Sequence, residues 1–306
     1  MLQPQNSATP HLGIKRLTYI SGGDRIIDDV SLTIPTAAKV ALVGLNGAGK
    51  STLIRLLVGE LALAYGSIYL AGHTPQALAL KAQLGYQASA MMALSELGVR
   101  EYLQLSCLLK GRSREQSKEL ILSVSEQWAL QPLLDRPMQQ LSQGNMQKVA
   151  IAQAFIGSPD FIFLDEPSHS LDPLEQLRFI DNLKSLTDFK ICLFSSHHIN
   201  EAVSAADRVV LLHHGRVVAS LDLKAHNEHW IVSNLEPQQL QSLSDKASIE
   251  HSYARNKRLY KISVARPEDF ASLLAKAVAK DKSVIDLGRA GAALLPLFSL
   301  LANEGL

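Results

Sequence analysis

Cysteine is scarce: the 306 residues contain two, Cys107 and Cys192. Two cannot build a disulfide framework, and neither stands at metal-ligand spacing, so a reducing, cytosolic setting is expected. No run reaches the roughly 20 apolar residues that cross a bilayer. The nearest, Ala290–Ala302, is short and broken by Pro296, and reads as the face of a terminal helix. The opening Met1-Leu2-Gln3-Pro4-Gln5-Asn6 has neither the basic start nor the apolar core of a secretion signal. Net charge is almost absent: 30 Lys plus Arg against 29 Asp plus Glu leave +1. Composition therefore gives no pull toward nucleic acid or an anionic surface. Repeats of 20–50 residues are missing too, which excludes solenoids and propellers. What remains is an ordinary globular balance, 47% hydrophobic and 19% charged, at a length of about two domains.

Val40-Ala41-Leu42-Val43 has the texture of a buried strand, then come glycines, then the helical spacing of Ser51–Leu57. Arg100–Lys110, Glu115–Trp128 and Asn145–Phe155 read as helices. Phe161–Leu164, Lys190–Phe194, Arg208–Leu212 and Arg216–Ala219 read as strands. Strands alternating with helices imply an α/β fold with a largely parallel sheet, whose carboxyl edge is where ligands bind. Beyond about Ala225 the texture changes. Strands at Trp230–Val232, Ile249–Tyr253, Leu259–Val264 and Val284–Leu287 are interleaved with helices at Pro237–Leu243 and Pro267–Ala279, and Ala290–Leu301 adds a last helix. That order is a split βαβ, a small ferredoxin-like α+β domain, with Trp230 and Tyr260 as core aromatics.

Gly44-Leu45-Asn46-Gly47-Ala48-Gly49-Lys50-Ser51 matches G-x-x-x-x-G-K-[ST] at every position. Glycines let successive backbone N–H groups turn inward on phosphates, and the helix start adds its positive end. Lys50 can reach the β- and γ-phosphates, the Ser51 hydroxyl can ligate Mg²⁺, and Thr52 faces the α-phosphate side. A plain glycine turn is the bland alternative, but the flanking strand and helix disfavour it. Leu164-Asp165-Glu166-Pro167 ends a strand with two carboxylates: Asp165 suited to hold Mg²⁺, Glu166 to orient or deprotonate an attacking water. Alone this would be a solvated turn; downstream of a phosphate loop it is chemistry. His197, beyond another strand, is placed to sense the γ-phosphate, while His198, His213 and His214 read as surface residues. These histidines lack Cys or carboxylate partners at zinc spacing. Leu141-Ser142-Gln143-Gly144-Asn145 opens a helix and, by itself, is a plain N-cap.

Taken together these residues resemble the nucleotide-binding subunit of an ATP-binding cassette transporter, over about residues 12–222. Ser170-Leu171-Asp172 is similar to that family's D-loop and His197 to its switch histidine. The resemblance implies a P-loop ATPase core at 12–224: a mixed sheet with flanking helices, a β-subdomain and a helical subdomain at about 87–158. The accessory α+β domain would occupy 225–306. It implies catalysis by Lys50, Glu166 and His197, with Mg²⁺ held by Ser51 and Asp165. ATP would be bound by Gly44, Leu45, Asn46, Gly47, Ala48, Gly49, Lys50, Ser51 and Thr52, joined in trans by Ser142 and Gly144 of a second subunit, with Asp172 along the interface.

Implied partners are a homodimeric or heterodimeric ATPase mate and an integral membrane permease, docked on the cytoplasmic face of the membrane, with no nucleic acid. Gln147–Ala154 and Val99-Arg100-Glu101-Tyr102-Leu103 are similar to the export-type branch, whose permease is a separate chain. Met91, Met92, Leu94 and Leu97 mark either a permease-docking groove or core. Where the family has an adenine-stacking aromatic this chain has Ser21, with Tyr19 nearby. Where it has a metal-linking glutamine this chain has Ser89, with Gln87 nearby. Gln143 and Asn145 replace the usual Gly and Gln. The other classes weighed are a soluble cassette ATPase acting on ribosomes or nucleic acid and a low-turnover nucleotide-binding regulator.

Overall fold

Residues 11–35, 37–88, 96–225, 228–254, 257–289, 292–294, 296 and 298–299 are described by the computed structural model. The chain runs β1 (Leu12–Ser21), β2 (Asp24–Ile34), β3 (Ala38–Val43), α1 (Lys50–Leu57), β4 (Tyr65–Leu70), α2 (Leu78–Lys81) and β5 (Leu84–Gln87). Then come α3 (Val99–Leu109), α4 (Arg114–Gln127), two 3₁₀ turns, α5 (Gln143–Phe155), β6 (Phe161–Leu164), α6 (Pro173–Ser185), β7 (Ile191–Ser196) and α7 (Ile199–Ala205). β8 (Arg208–His213) and β9 (Arg216–Asp222) follow. The C-terminal part is β10 (Glu228–Ser233), α8 (Pro237–Gln241), β11 (Ala247–Ala254), β12 (Lys257–Val264), α9 (Pro267–Lys280) and β13 (Ile285–Arg289).

β3, β6 and β7 are apolar along nearly their whole length because both of their faces are buried, as parallel strands between layers require. They sit in the middle of a six-stranded sheet ordered β5-β6-β7-β3-β8-β9. All neighbours are parallel except β8 and β9, an antiparallel hairpin turned by His214 and Gly215, both at positive φ. One face carries α1 and a three-stranded antiparallel sheet, β2-β1-β4, in a single apolar cluster with Leu42, Phe161, Phe163 and Leu193. The other face carries α3 to α7 on a cluster through Ala41, Val43, Ile162, Leu164 and Phe194.

The other expected helices and strands are present with ends shifted by at most three residues, while the last expected helix, Ala290–Leu301, lies largely outside the described residues. α4 starts one residue earlier than expected because Ser113 and Gln116 form a reciprocal capping box. β5, α2, α6 and α7 are elements that the hydrophobic pattern alone does not single out. One surface expectation is corrected: His198 and His214 are exposed, but His213 is buried. It ends β8, an interior strand, and so shares the coverage of that strand's faces.

β10 to β13 form an all-antiparallel sheet in the order β11-β12-β10-β13, the strand order of a split βαβ. Ile231, Tyr260 and Ile262 face α8 and α9 in a core of their own. Trp230, Val232, Leu259 and Leu287 face the opposite way and join the cluster that runs through the larger sheet. Period-two alternation thus gives this sheet two buried faces. Truncating Trp230→Ala is expected to lower unfolding free energy by about 3–5 kcal/mol in urea titrations. A loss below about 1 kcal/mol would mean that this face is not packed.

Candidate active site

The carboxyl ends of three adjacent strands arrive on one line. β7 pairs Val43 with Ser196 on one side and Leu164 with Phe194 on the other. The loops leaving those strands therefore carry the phosphate loop, Asp165-Glu166 and His197 to a common point. Gly49 immediately precedes α1 at φ 102°, and a Cβ there would stand 2.8 Å from the Ile26 carbonyl oxygen. Only glycine fits that turn. The first turn of α1 holds no acidic residue, so no side chain of its own offsets its positive end.

A cavity of about 510 Å³ opens there, lined by residues 46–52, Ile26, Glu166, His169 and His197. Gly44 and Leu45 lie behind it; their carbonyl oxygens accept from Lys50 Nζ at 2.8 and 3.4 Å. Lys50 is buried, and its ammonium lies 3.2 Å from Glu166 Oε1. The other carboxylate oxygen, Oε2, is 2.8 Å from His197 Nδ1. Burial pushes the Glu166 carboxyl up, but the His197 hydrogen bond and the Lys50 charge outweigh it and hold it below the usual carboxylate value. Glu166 is thus an anion at neutral pH, and an anion only accepts, so His197 Nδ1–H is the donor. The arrangement offers a carboxylate to a water molecule and an ammonium and an imidazole to phosphate oxygens.

Asp165, 1% exposed, directly follows β6 and does not itself line the cavity, whereas Ser51 does and is exposed. Hydroxyl and carboxylate are hard oxygen donors and fit Mg²⁺. Among the described residues no cluster of three or more His, Cys, Asp or Glu could cage a metal alone. A sparse donor set suits an ion that takes its remaining ligands from phosphates and water.

Other expected residues lie elsewhere within the chain. Ser142 caps α5, accepting from the Asn145 N–H at 3.3 Å, and Asp172 caps α6, accepting from the Glu175 N–H at 2.9 Å. Gly144 lies against the D-loop: a Cβ there would meet the Ser170 oxygen at 2.8 Å. Neither expected stand-in reaches the cavity. Tyr19 packs, half-buried, on the cluster under β1. Gln87 is buried at the end of β5 and donates to the Ala88 and Asp165 carbonyl oxygens at 2.5 and 3.2 Å. Ser89, Met91, Met92 and Leu94 lie outside the described residues, and Leu97 packs partly buried on the core. Ile26 and His169 line the cavity without having been singled out. His169 stands three residues beyond Glu166 and meets the His197 ring edge-on at 5.8 Å, so its place in the chain was the available signal.

Fold and site together define a phosphate-loop ATPase. Residues 27–169 match the ABC transporter family. The chain is 33% identical over 198 residues to the ABC transporter ATP-binding protein NatA of Bacillus subtilis, covering 63% of this chain and 80% of that protein. It is 31% identical over 221 residues to the zinc import ATP-binding protein ZnuC of Halorhodospira halophila, covering 70% and 78%. Among solved structures it is similar to the dimeric post-hydrolysis state of the cassette MJ0796 bound to ADP and Pi, with a TM-score of 0.65 and 25% identity. That match covers 70% of this chain and 99% of the other. An ATP-binding subunit of an ABC transporter aligns with a TM-score of 0.63 at 29% identity, covering 69% and 89%.

The chain belongs to the ABC transporter ATP-binding family. It is an ATPase that works on ATP with Mg²⁺ to energise transport, in a family whose ATPase domains dimerise and partner with membrane permeases.

Two outcomes are expected. Gly49→Ala imposes about 1–3 kcal/mol of backbone strain, and ATP binding by calorimetry should weaken roughly tenfold. The depressed Glu166 carboxyl stabilises the fold above its unfolded value, 4.5, and this contribution fades as pH falls through the lower folded value. Melting temperatures of Glu166→Gln should therefore fall less between pH 6 and pH 3 than those of wild type; equal falls would contradict the assignment.

Proposed function

We propose that the chain is the energising subunit of an exporter whose membrane permease is a separate polypeptide. Residues 12–224 act as the ATPase and 225–306 as an accessory domain. Glu166 positions and deprotonates the attacking water, Lys50 and His197 hold the γ-phosphate oxygens, and residues 44–52 cradle the nucleotide. Ser51 and Asp165 hold Mg²⁺, which when bound neutralises charge on the phosphates. A second ATPase subunit, identical or homologous, closes head to tail, its Ser142 and Gly144 capping the nucleotide and Asp172 running along the interface.

The observation that carries the hydrolytic roles is the contact of one carboxylate with both Lys50 and His197 at the phosphate loop. Support for the closing dimer is the exposed rim of the cavity and the Ser142 helix end against Ser170. The export direction rests on Leu141–Asn145 with Gln147–Ala154 and on Val99–Leu103; relatives named for a direction, such as ZnuC, are import proteins. The proposed setting is the cytoplasmic face of a membrane, reached through the permease. Among the described residues no helix is long and apolar enough to cross it. The near-neutral net charge supports the absence of a nucleic-acid partner.

Glu166→Gln is expected to cut ATP turnover by about 10²–10⁴-fold while ATP still binds, and to give an Mg-ATP-dependent dimer by light scattering. Undiminished turnover would remove Glu166 from the chemistry. Co-purification with ribosomes or nucleic acid in place of a permease would overturn the transport role.

A further inference from the structure

Two adjacent serines end β7, and both hydroxyls are buried and fully used. Ser195, 0% exposed, donates through Oγ to Asp165 Oδ1 at 2.8 Å and accepts the Glu166 backbone N–H at 2.8 Å. Ser196, whose side chain points to the opposite face of the strand, donates to Glu201 Oε2 at 2.5 Å and accepts the His198 N–H at 2.9 Å.

Glu166 sits at φ 48°, a left-handed conformation that a glutamate holds only when its surroundings impose it. Four contacts do so: the Ser195 hydroxyl on its N–H, the His169 N–H and the Gln147 side chain on its carbonyl oxygen at 3.2 and 3.4 Å, and the Gln87 amide on the Asp165 carbonyl at 3.2 Å. Of these, the Ser195 hydroxyl alone also touches the Asp165 carboxylate. One rotor thus orients the acid proposed for Mg²⁺ and fixes the backbone that aims the acid proposed for water.

We infer that Ser195 is a positioning residue for this reaction, coupling the Asp165 carboxylate to the backbone of Glu166; the inference rests on the roles proposed above for those two acids. Without the hydroxyl the Asp165 carboxylate loses its buried donor and can rotate, and the Glu166 N–H is left unpaired beside an apolar methyl. Partners that orient a metal-holding carboxylate typically change metal affinity or activity by 10–100-fold when removed.

The test uses the full chain and ADP as the probe, titrated by calorimetry in EDTA and then across Mg²⁺ concentrations, alongside ATP turnover. Ser195→Ala should bind ADP as wild type does in EDTA, need about tenfold or more Mg²⁺ for half-maximal enhancement, and lose kcat with little change in KM. Ser195→Thr, which keeps the hydroxyl, should regain most of both responses. Ser196→Ala, which removes a buried hydroxyl that does not touch Asp165, should keep the wild-type Mg²⁺ response.

An unshifted Mg²⁺ response in Ser195→Ala, no recovery in a folded Ser195→Thr, or an equal shift in Ser196→Ala would overturn the inference. If Ser195→Ala does not fold, Ser195→Cys, of similar size and a poorer donor, carries the same comparison. Asp165→Asn is run beside them. If it too keeps the wild-type Mg²⁺ response, the underlying metal role fails; if it loses that response while Ser195→Ala does not, only the role of Ser195 fails.

Discussion

Parallel strands buried on both faces must end together, and everything at the site depends on that constraint. β3, β6 and β7 can be continuous apolar runs only because layers cover both sides of them. Their fixed register then delivers the phosphate loop, Asp165-Glu166 and His197 to the same edge. No side chain in the cavity has to travel far from its strand end. The short reach is what lets Glu166 touch Lys50 and His197 with its two oxygens at once.

Electrostatics at that edge balance closely. A buried ammonium, Lys50, is met by two backbone carbonyls and one carboxylate, so its charge is not stranded. A half-buried carboxylate, Glu166, keeps its charge because an imidazole and an ammonium outweigh the desolvation that would neutralise it. Bound phosphate would compete with Glu166 for the same two donors, which ties the position of the carboxylate to the occupancy of the loop. The backbone beneath is strained at Glu166 and held by the Ser195 hydroxyl and the amides of Gln87 and Gln147. Rigid support is therefore concentrated under the one residue whose aim matters.

The C-terminal sheet is more than an appendage, because it shares a core with the ATPase body. Trp230, Val232, Leu259 and Leu287 belong to the same apolar cluster as Ala202 and Ala205 of α7, the helix that begins two residues after His197. β11 also runs beside β9. A contiguous core of this kind transmits displacement, since close-packed interiors deform little.

Local chemistry was legible in the order of residues. The run 44–51, the strand end Asp165-Glu166 and the strand-then-His197 pattern each need only a strand and a turn, and hydrophobic periodicity marks both. The β-α-β-β-α-β order after residue 225 was legible for the same reason. Roles that depend on who lies opposite were not. Ser195 reads as one more small polar residue until β6 is laid beside β7. Tyr19 and Gln87 sit near the right positions in the chain, yet strand alternation turns them into the core and away from the cavity. Sequence spacing determines which groups each loop carries; only the packing of strands side by side decides which of those groups meet, because neighbours in a parallel sheet are joined through crossovers that sequence distance does not encode.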